Sequence, residues 1–262
     1  MGSSAVTGLD MFRAYMTGLE GSYAVIGGTA CDVLLSEADL PFRATHDLDI
    51  VLVADGGLPE VARAIWKMVR DGEYQCGRGS GDKACFYRFT APRTEGFPSM
   101  IELFSKGPDF LPDAEGLETA PLHIDDEVSS LSAILLDDDY YDLLLKGIRT
   151  ISGVSVLDVT AIIPFKVKAY LELSDRRNRL GDVDSRKVKK HKNDVFRLAQ
   201  LLTGRENIVL PDEIAQDMRL FLSDCSGSSL NLKQIGIVGP SMATLLETIA
   251  GAYSLAIDAA GL

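Results

Sequence analysis

Asp47 and Asp49 stand one residue apart in the apolar run D-L-D-I-V-L, and a lone Glu102 sits in a similar run, S-M-I-E-L-F-S. In an extended strand alternate residues project to the same side. Asp47 and Asp49 therefore share a face with Val51, while Leu48, Ile50 and Leu52 share the other, which is expected to face the core. The two carboxylates would lie about 7 Å apart, near enough to raise each other's pKa unless a cation sits between them. Glu102 alternates with apolar neighbours in the same way. Three carboxylates on neighbouring strands can hold two divalent ions, which activate an attacking oxygen and neutralise charge on a transferring phosphoryl group. A short D-x-D also occurs where the outer face of a sheet merely carries acids, so its weight comes from the company it keeps.

Part of that company is the glycine pair Gly27-Gly28, followed by Thr29. At a strand-to-helix turn, glycines let backbone N–H groups approach a phosphate closely, and Thr29 would add a hydroxyl at the N-cap. The stretch is neither a Walker loop nor a dinucleotide-binding fingerprint, because it lacks the spacing of either. A plain strand–helix connector is the bland alternative.

The remaining composition narrows the chemistry. Cys31, Cys76, Cys85 and Cys225 are scattered with no C-x-x-C pair, and His46, His123 and His191 are isolated. A zinc ribbon or a disulfide framework is therefore not expected. Any metal site would be built from carboxylates, which favours a hard ion such as Mg²⁺ or Mn²⁺. A formal net charge of −12 over 262 residues argues against non-specific nucleic-acid binding. The run R-K-V-K-K-H-K from Arg186 to Lys192 is a local exception, read as a solvated helix face with a grip on an RNA or nucleotide phosphate as the alternative. No apolar run is long enough to span a bilayer and no signal-peptide pattern opens the chain, so a cytoplasmic protein is expected.

The elements that must position these residues follow from periodicity. Helical spacing is expected over residues 7–20, 29–37 and 58–70, and strands over 22–28, 47–53, 84–91, 99–105 and within 147–157. The glycine-dense stretch 72–81 and the Pro/Gly/acid-rich stretch 107–119 are expected to be loops, and the acidic D-D-D-Y-Y-D at Asp137 a turn. After Asp158 the pattern turns helical, over about 163–175, 186–202, 212–222 and 242–257. The expectation is an α/β (α+β) mixed-sheet domain over residues 1–157 followed by a helical domain over 158–262. Trp66 reads as packing, and His46, on the opposite strand face from Asp47, as structural.

Strand, G-G-T, helix, R-A-T-H-D-L-D on the next strand and a distant I-E-L together resemble the nucleotidyltransferase fold superfamily related to DNA polymerase beta. Eighteen residues separate Gly28 from Asp47, more than in the minimal pattern. Longer spacings with R-x-T-x-D-x-D are similar to the subgroup that includes the AbiEii-type toxins of abortive-infection systems. In the back half, F-K-V-K-A-Y-L-E-L-S-D-R-R and H-K-N-D-V-F-R-L-A-Q-L-L look like the lysine helix and the K-D helix of that subgroup, with Asn193 intervening in the second pair. The resemblance covers roughly residues 23–202.

The resemblance implies a Mg²⁺- or Mn²⁺-dependent enzyme that moves an NMP from an NTP to an acceptor hydroxyl. It puts Asp47, Asp49 and Glu102 at the metals and Lys166 among the catalytic groups. Gly27, Gly28, Thr29, Arg43, Lys192 and Asp194 would hold the nucleotide, with Arg176 or Arg177 in a supporting role. Lys166 shares a helical stripe with Ile163, Tyr170 and Leu173, and Lys192 one with Val188, Val195 and Leu202, so both are expected to point inward. The acceptor is left open between tRNA, a protein side chain and a small molecule, and an antitoxin partner is implied. The alternative is a non-catalytic nucleotide- or partner-binding member of the same fold.

Overall fold

The structure, a computed structural model, describes residues 7–53, 58–80, 85–106, 119–121, 134–135, 137–227 and 230–255. The loop expected over 107–119 lies outside them apart from Thr119.

Strands β1 (Tyr23–Ile26), β2 (Asp47–Leu52), β3 (Gln75–Ser80), β4 (Cys85–Thr90), β5 (Met100–Ser105), β6 (Thr119–Pro121), β7 (Ile148–Ile151) and β8 (Val154–Leu157) form one mixed sheet, in the order β6-β3-β4-β5-β2-β1-β8-β7. β2 runs parallel to β5 and antiparallel to β1, and β4 is antiparallel to both β3 and β5. Helices α1 (Leu9–Met16), α2 (Gly27–Glu37), α3 (Leu58–Asp71) and α4 (Asp138–Lys146) intersperse the strands. Then come α5 (Val159–Leu180), α6 (Ser185–Ala199), α7 (Asp212–Ser226) and α8 (Met242–Ala252). The class is α/β, a mixed sheet followed by a helical part.

Register decides which side chains meet. Opposed residues project to the same face of a sheet. Tyr87 and Phe89 on β4 oppose Leu103 and Ile101 on β5, which in turn oppose Ile50 and Leu48 on β2. This apolar face is covered by α1 and α3: Trp66 meets Tyr87 and Phe89 edge-on, and Phe12 meets Tyr23 edge-on. The opposite face carries the row Arg88, Glu102, Asp49 and Ile26, contributed by four adjacent strands. Helices α2, α5 and α6 pack together beside that row.

Two expectations change. Residues 75–80 form β3 rather than a loop, because β4 and β6 pair with its backbone on both sides. Tertiary pairing overrides the poor strand propensity of Q-C-G-R-G-S. The acids at Asp137–Asp139 do not form a free turn. Asp137 caps α4 by accepting from the Tyr140 N–H, and Asp138 and Asp139 occupy the first helical turn, where negative charge suits the helix dipole.

α5 and α6 form a hairpin delimited by caps. Asp158 accepts from the N–H groups of Thr160 and Ala161, Gly181 ends α5 in a left-handed conformation, and Asp184 starts α6 by accepting from the Arg186 N–H. Pro164 lies inside α5 and has no N–H to give the Thr160 carbonyl four residues back. That carbonyl instead accepts from the Tyr253 hydroxyl at 2.9 Å, just beyond α8. The tail is thus fastened to the helix at the bond the proline removes. Two further ties hold α7. The Tyr140 hydroxyl and Lys168 both donate to Asp217 at 2.9 Å, while the Tyr170 hydroxyl and Lys192 (3.6 Å) meet at Asp224 one heptad on.

Replacing Tyr253 by Phe should cost about 1 kcal/mol, because the half-buried Thr160 carbonyl loses its partner. In a Pro164→Ala background, which restores the missing N–H, the same change should cost markedly less. Chemical denaturation of the four proteins checks this coupling.

Candidate active site

A cavity opens where the polar row of the sheet meets the helices. Gly27, Gly28, Asp49, Glu102, Lys166, Lys190 and His191 line its polar part. Ile26, Phe104, Ile162, Phe165, Ala169 and Leu173 line the rest with Ile134.

The glycine pair forms the first turn of α2, which begins at Gly27 immediately after β1. Gly27 has φ of +68°, and a Cβ built there would lie 1.8 Å from the Asp49 Oδ2, so any larger residue would displace the carboxylate. A Cβ on Gly28 would fall 2.6 Å from the Thr45 hydroxyl. The pair thus lets a helix start directly against the acid. Thr29 is corrected. It is not the N-cap, a position held by Ile26, but the third residue of the helix. Fully buried, it donates to the Asp47 carbonyl at 2.7 Å, which braces α2 on β2 and turns its hydroxyl from the cavity.

Asp49 and Glu102 are register partners on parallel strands, and their carboxyl groups hydrogen-bond each other. Burial, followed by the neighbouring Asp49, pushes the Glu102 carboxyl up to about 8. Asp49 is likewise raised, chiefly by burial. The pair therefore holds a proton near neutral pH. Arg88 steadies it from the next strand, with Nε and Nη2 donating to Glu102 Oε1 at 2.7 and 2.6 Å. Asp47 lies one pleat away, half-buried and opposite Met100 rather than Glu102. Hence the expected triad is not gathered, and among the described residues no three His, Cys, Asp or Glu side chains converge as a metal-binding group. The carboxylate pair nonetheless fits a hard divalent cation. Its oxygens are the donors such ions prefer, and the shared proton occupies the place of a positive charge.

Behind the cavity a second carboxylate organises the cations. Asp194 is fully buried and accepts from Arg43 (Nη2 at 3.0 Å and Nε at 3.3 Å), Arg197 (3.0 Å) and Lys166 (3.4 Å). Burial alone would raise its pKa, but Lys166, Arg43 and Arg197 overcome that and hold the carboxyl at about 2. Lys166, 5% exposed, keeps its charge: burial works against the ammonium, and nearby acids, Asp194 and Asp49 among them, more than offset it. One carboxylate among three cations leaves positive charge in surplus beside the carboxylate pair. Arg43 and Asp194 thus stand behind Lys166 and do not line the cavity.

Lys192 is corrected as well. It sits over the Tyr170 ring and pairs with Asp224, facing α7. The reason is helical geometry: residues two apart lie about 200° around a helix, so Lys192 and Asp194 cannot serve one site. Three and four residues before Asp194 stand His191 and Lys190, which do line the cavity. The same 3.6-residue period, applied from Asp194, is the signal that finds them. Arg88 was also unforeseen; an arginine alternating with Tyr87 and Phe89 is its trace in the sequence. Arg176, expected in a supporting role, pairs with Asp182 at 3.0 Å.

No protein-family profile matches the chain, and no curated protein matches it. Among solved structures, an antigenic nucleotidyltransferase-like protein from Paracoccidioides brasiliensis is similar at 17% identity, covering 77% of this chain and 79% of that one with a TM-score of 0.37. No helix among the described residues is long and apolar enough to cross a membrane.

Two outcomes follow from these charges. Glu102 has a folded-state pKa near 8 against an ordinary value of 4.5, so its stabilising contribution is complete at low pH and is lost as pH rises toward 8. His191 opposes this only below about 6.5, because its own pKa is lowered. Metal-free protein should therefore lose stability from pH 6.5 to 8.5, and Glu102→Gln should flatten that slope, as read by thermal melts across the range. Separately, Asp194→Asn strands three cations and should cost about 3 kcal/mol in urea denaturation, in line with breaking a buried ion pair.

Proposed function

We propose that the protein is a metal-dependent nucleotidyltransferase that moves an NMP from an NTP to an acceptor hydroxyl. The observation that carries the reading is the hydrogen-bonded Asp49–Glu102 pair beside the glycine start of α2, with Lys166 held charged against the same cavity. Anionic phosphates suit this setting because the free N–H groups at a helix start and the surplus cations around Asp194 both favour negative charge.

In this reading Asp49 and Glu102 would hold Mg²⁺ or Mn²⁺, which would supply charge neutralisation at the transferring phosphoryl group. Gly27 and Gly28 present backbone N–H groups to the triphosphate. Lys166 and Lys190 offset its charge, and Asp194 keeps Lys166 in position. As the acceptor oxygen bonds to the α-phosphorus, the bond to the β-phosphate oxygen breaks and pyrophosphate leaves. The acceptor proton would pass to a carboxylate of the pair, with Glu102 the one that Arg88 positions. Arg88 holds Glu102 in place throughout.

Similarity to the AbiEii-type toxins extends the proposal to a toxin-type enzyme restrained by a partner protein, with tRNA, a protein or a small molecule as acceptor. The acidic surface favours a small or locally bound acceptor over a long nucleic acid. A non-catalytic binder is the weaker reading, because burying an acid pair at the cost of its ionisation has no use in a protein that merely docks.

Calorimetric titration with each NTP, with and without Mg²⁺, tests the proposal on wild type and on Asp49→Asn. Metal-dependent binding in wild type that drops at least tenfold in the variant is expected. Transfer of an α-labelled phosphate to an acceptor should fall by a factor of about 10² or more in Asp49→Asn and in Lys166→Ala. Retained transfer in Asp49→Asn would overturn the assignment.

A further inference from the structure

One side chain in the cavity has no task in that scheme. The His191 ring lines the wall, yet both Nδ1 and Nε2 are covered from solvent and neither has a hydrogen-bond partner. Other polar groups facing the cavity are engaged: Glu102 by Arg88 and Asp49, Lys166 by Asp194. Two orphaned nitrogens, both shut off from solvent, are expensive on a half-buried ring, and a fold keeps such a residue only where something repays the loss.

Its position indicates what that something is. α5 and α6 run antiparallel, and Lys166 meets Asp194 across the hairpin. Moving one turn from Asp194 back to His191 parallels moving along α5 from Lys166 toward Ala169 and Leu173, a displacement of about 5 Å. His191 therefore stands about one turn further along the wall than Lys166, on the side of Ala169 and Leu173. Apolar side chains with a few placed polar atoms suit a planar heterocycle, whereas phosphates suit the N–H groups of a helix start. Charge agrees with this. Burial, then Lys166 and Lys190, with Arg43 beyond them, holds the imidazole neutral against the opposing pull of Asp194, so it offers one donor and one acceptor. A nucleobase edge presents the complementary pair, and a phosphate only acceptors.

Resting on the nucleotidyl-transfer reading, we propose that His191 recognises the base of the bound nucleotide, its two ring nitrogens serving as one donor and one acceptor on the side of the cavity that Ala169 and Leu173 line. It is a specificity-determining residue rather than a participant in phosphoryl transfer.

The test is equilibrium binding of the four NTPs and of inorganic tripolyphosphate, in Mg²⁺, to wild type and to His191→Phe, with thermal melts of both. Wild type is expected to prefer one or two of the NTPs. His191→Phe should lower affinity for the preferred nucleotide by about tenfold, level the four, leave tripolyphosphate unchanged and melt no lower than wild type, since it removes only unpartnered atoms. Should that variant not fold, His191→Gln decides: a changed order among the NTPs supports the assignment and an unchanged order overturns it. Equal losses for tripolyphosphate and NTPs would place His191 on the phosphates and overturn it too. So would a wild type that binds all four NTPs alike, or a preference untouched in the variants. A wild type that binds no NTP would instead bring down the nucleotidyl-transfer reading itself, and this assignment with it.

Discussion

Two carboxyl groups pressed side by side under covering helices form an arrangement no chain adopts for stability, and the layout around Asp49 and Glu102 is best understood as its support. Adjacent positions on parallel strands force the groups together, because register partners must project to the same face. The fold answers with Arg88 from the third strand, at 2.6 Å, and with a proton held near neutral pH by the raised Glu102. Gly27 follows from the same constraint: the helix that closes over the pair can start so close only where no Cβ intervenes.

The helical half is tied to this pair through Asp194. That residue belongs to α6, Lys166 to α5 and Arg43 to the segment before β2, so one fully buried carboxylate joins the hairpin to the sheet. A buried ion cluster is poor evidence of net stability, since desolvating four charges consumes most of the attraction. What it secures is placement. Lys166 is fixed charged at the cavity wall, and Arg43 and Arg197 share the Phe42 ring, with guanidinium carbons 4.9 and 5.6 Å from its centre. The Tyr–Asp–Lys ties to α7 and the bond from Tyr253 to Thr160 then hold the hairpin from behind.

How much of this was legible depends on which rule governed each residue. β1, β2 and β5 could be read because alternation along a half-buried strand is a local property, and Asp49, Glu102 and the glycines came with them. β3 could not, since Q-C-G-R-G-S owes its extended form to partners on both sides. Asp137–Asp139 were misread through composition, where capping chemistry was the better guide. The motif pattern points to Lys192, whereas the helical period separates it from Asp194 and points to Lys190 and His191. Nothing local marks Arg88 as the partner of Glu102. That contact exists only once the register of β4 against β5 is known.

The charge distribution carries the last step. A chain with a net charge of −12 repels polyanions from most of its surface, yet three cations gather around Asp194 and Lys190 adds to them within reach of Asp49. Focused positive potential inside an acidic protein admits a small anion and discourages a long one, because a polymer must also lie across the repelling exterior. A neutral His191 fits that division. Placed among cations it stays uncharged, so it adds nothing to the pull on an anion and keeps only its hydrogen-bonding capacity. In the proposed reading, attraction and selection would fall to different residues of one cavity. Such a division would let the phosphate contacts stay the same for every nucleotide while a single ring distinguished among them.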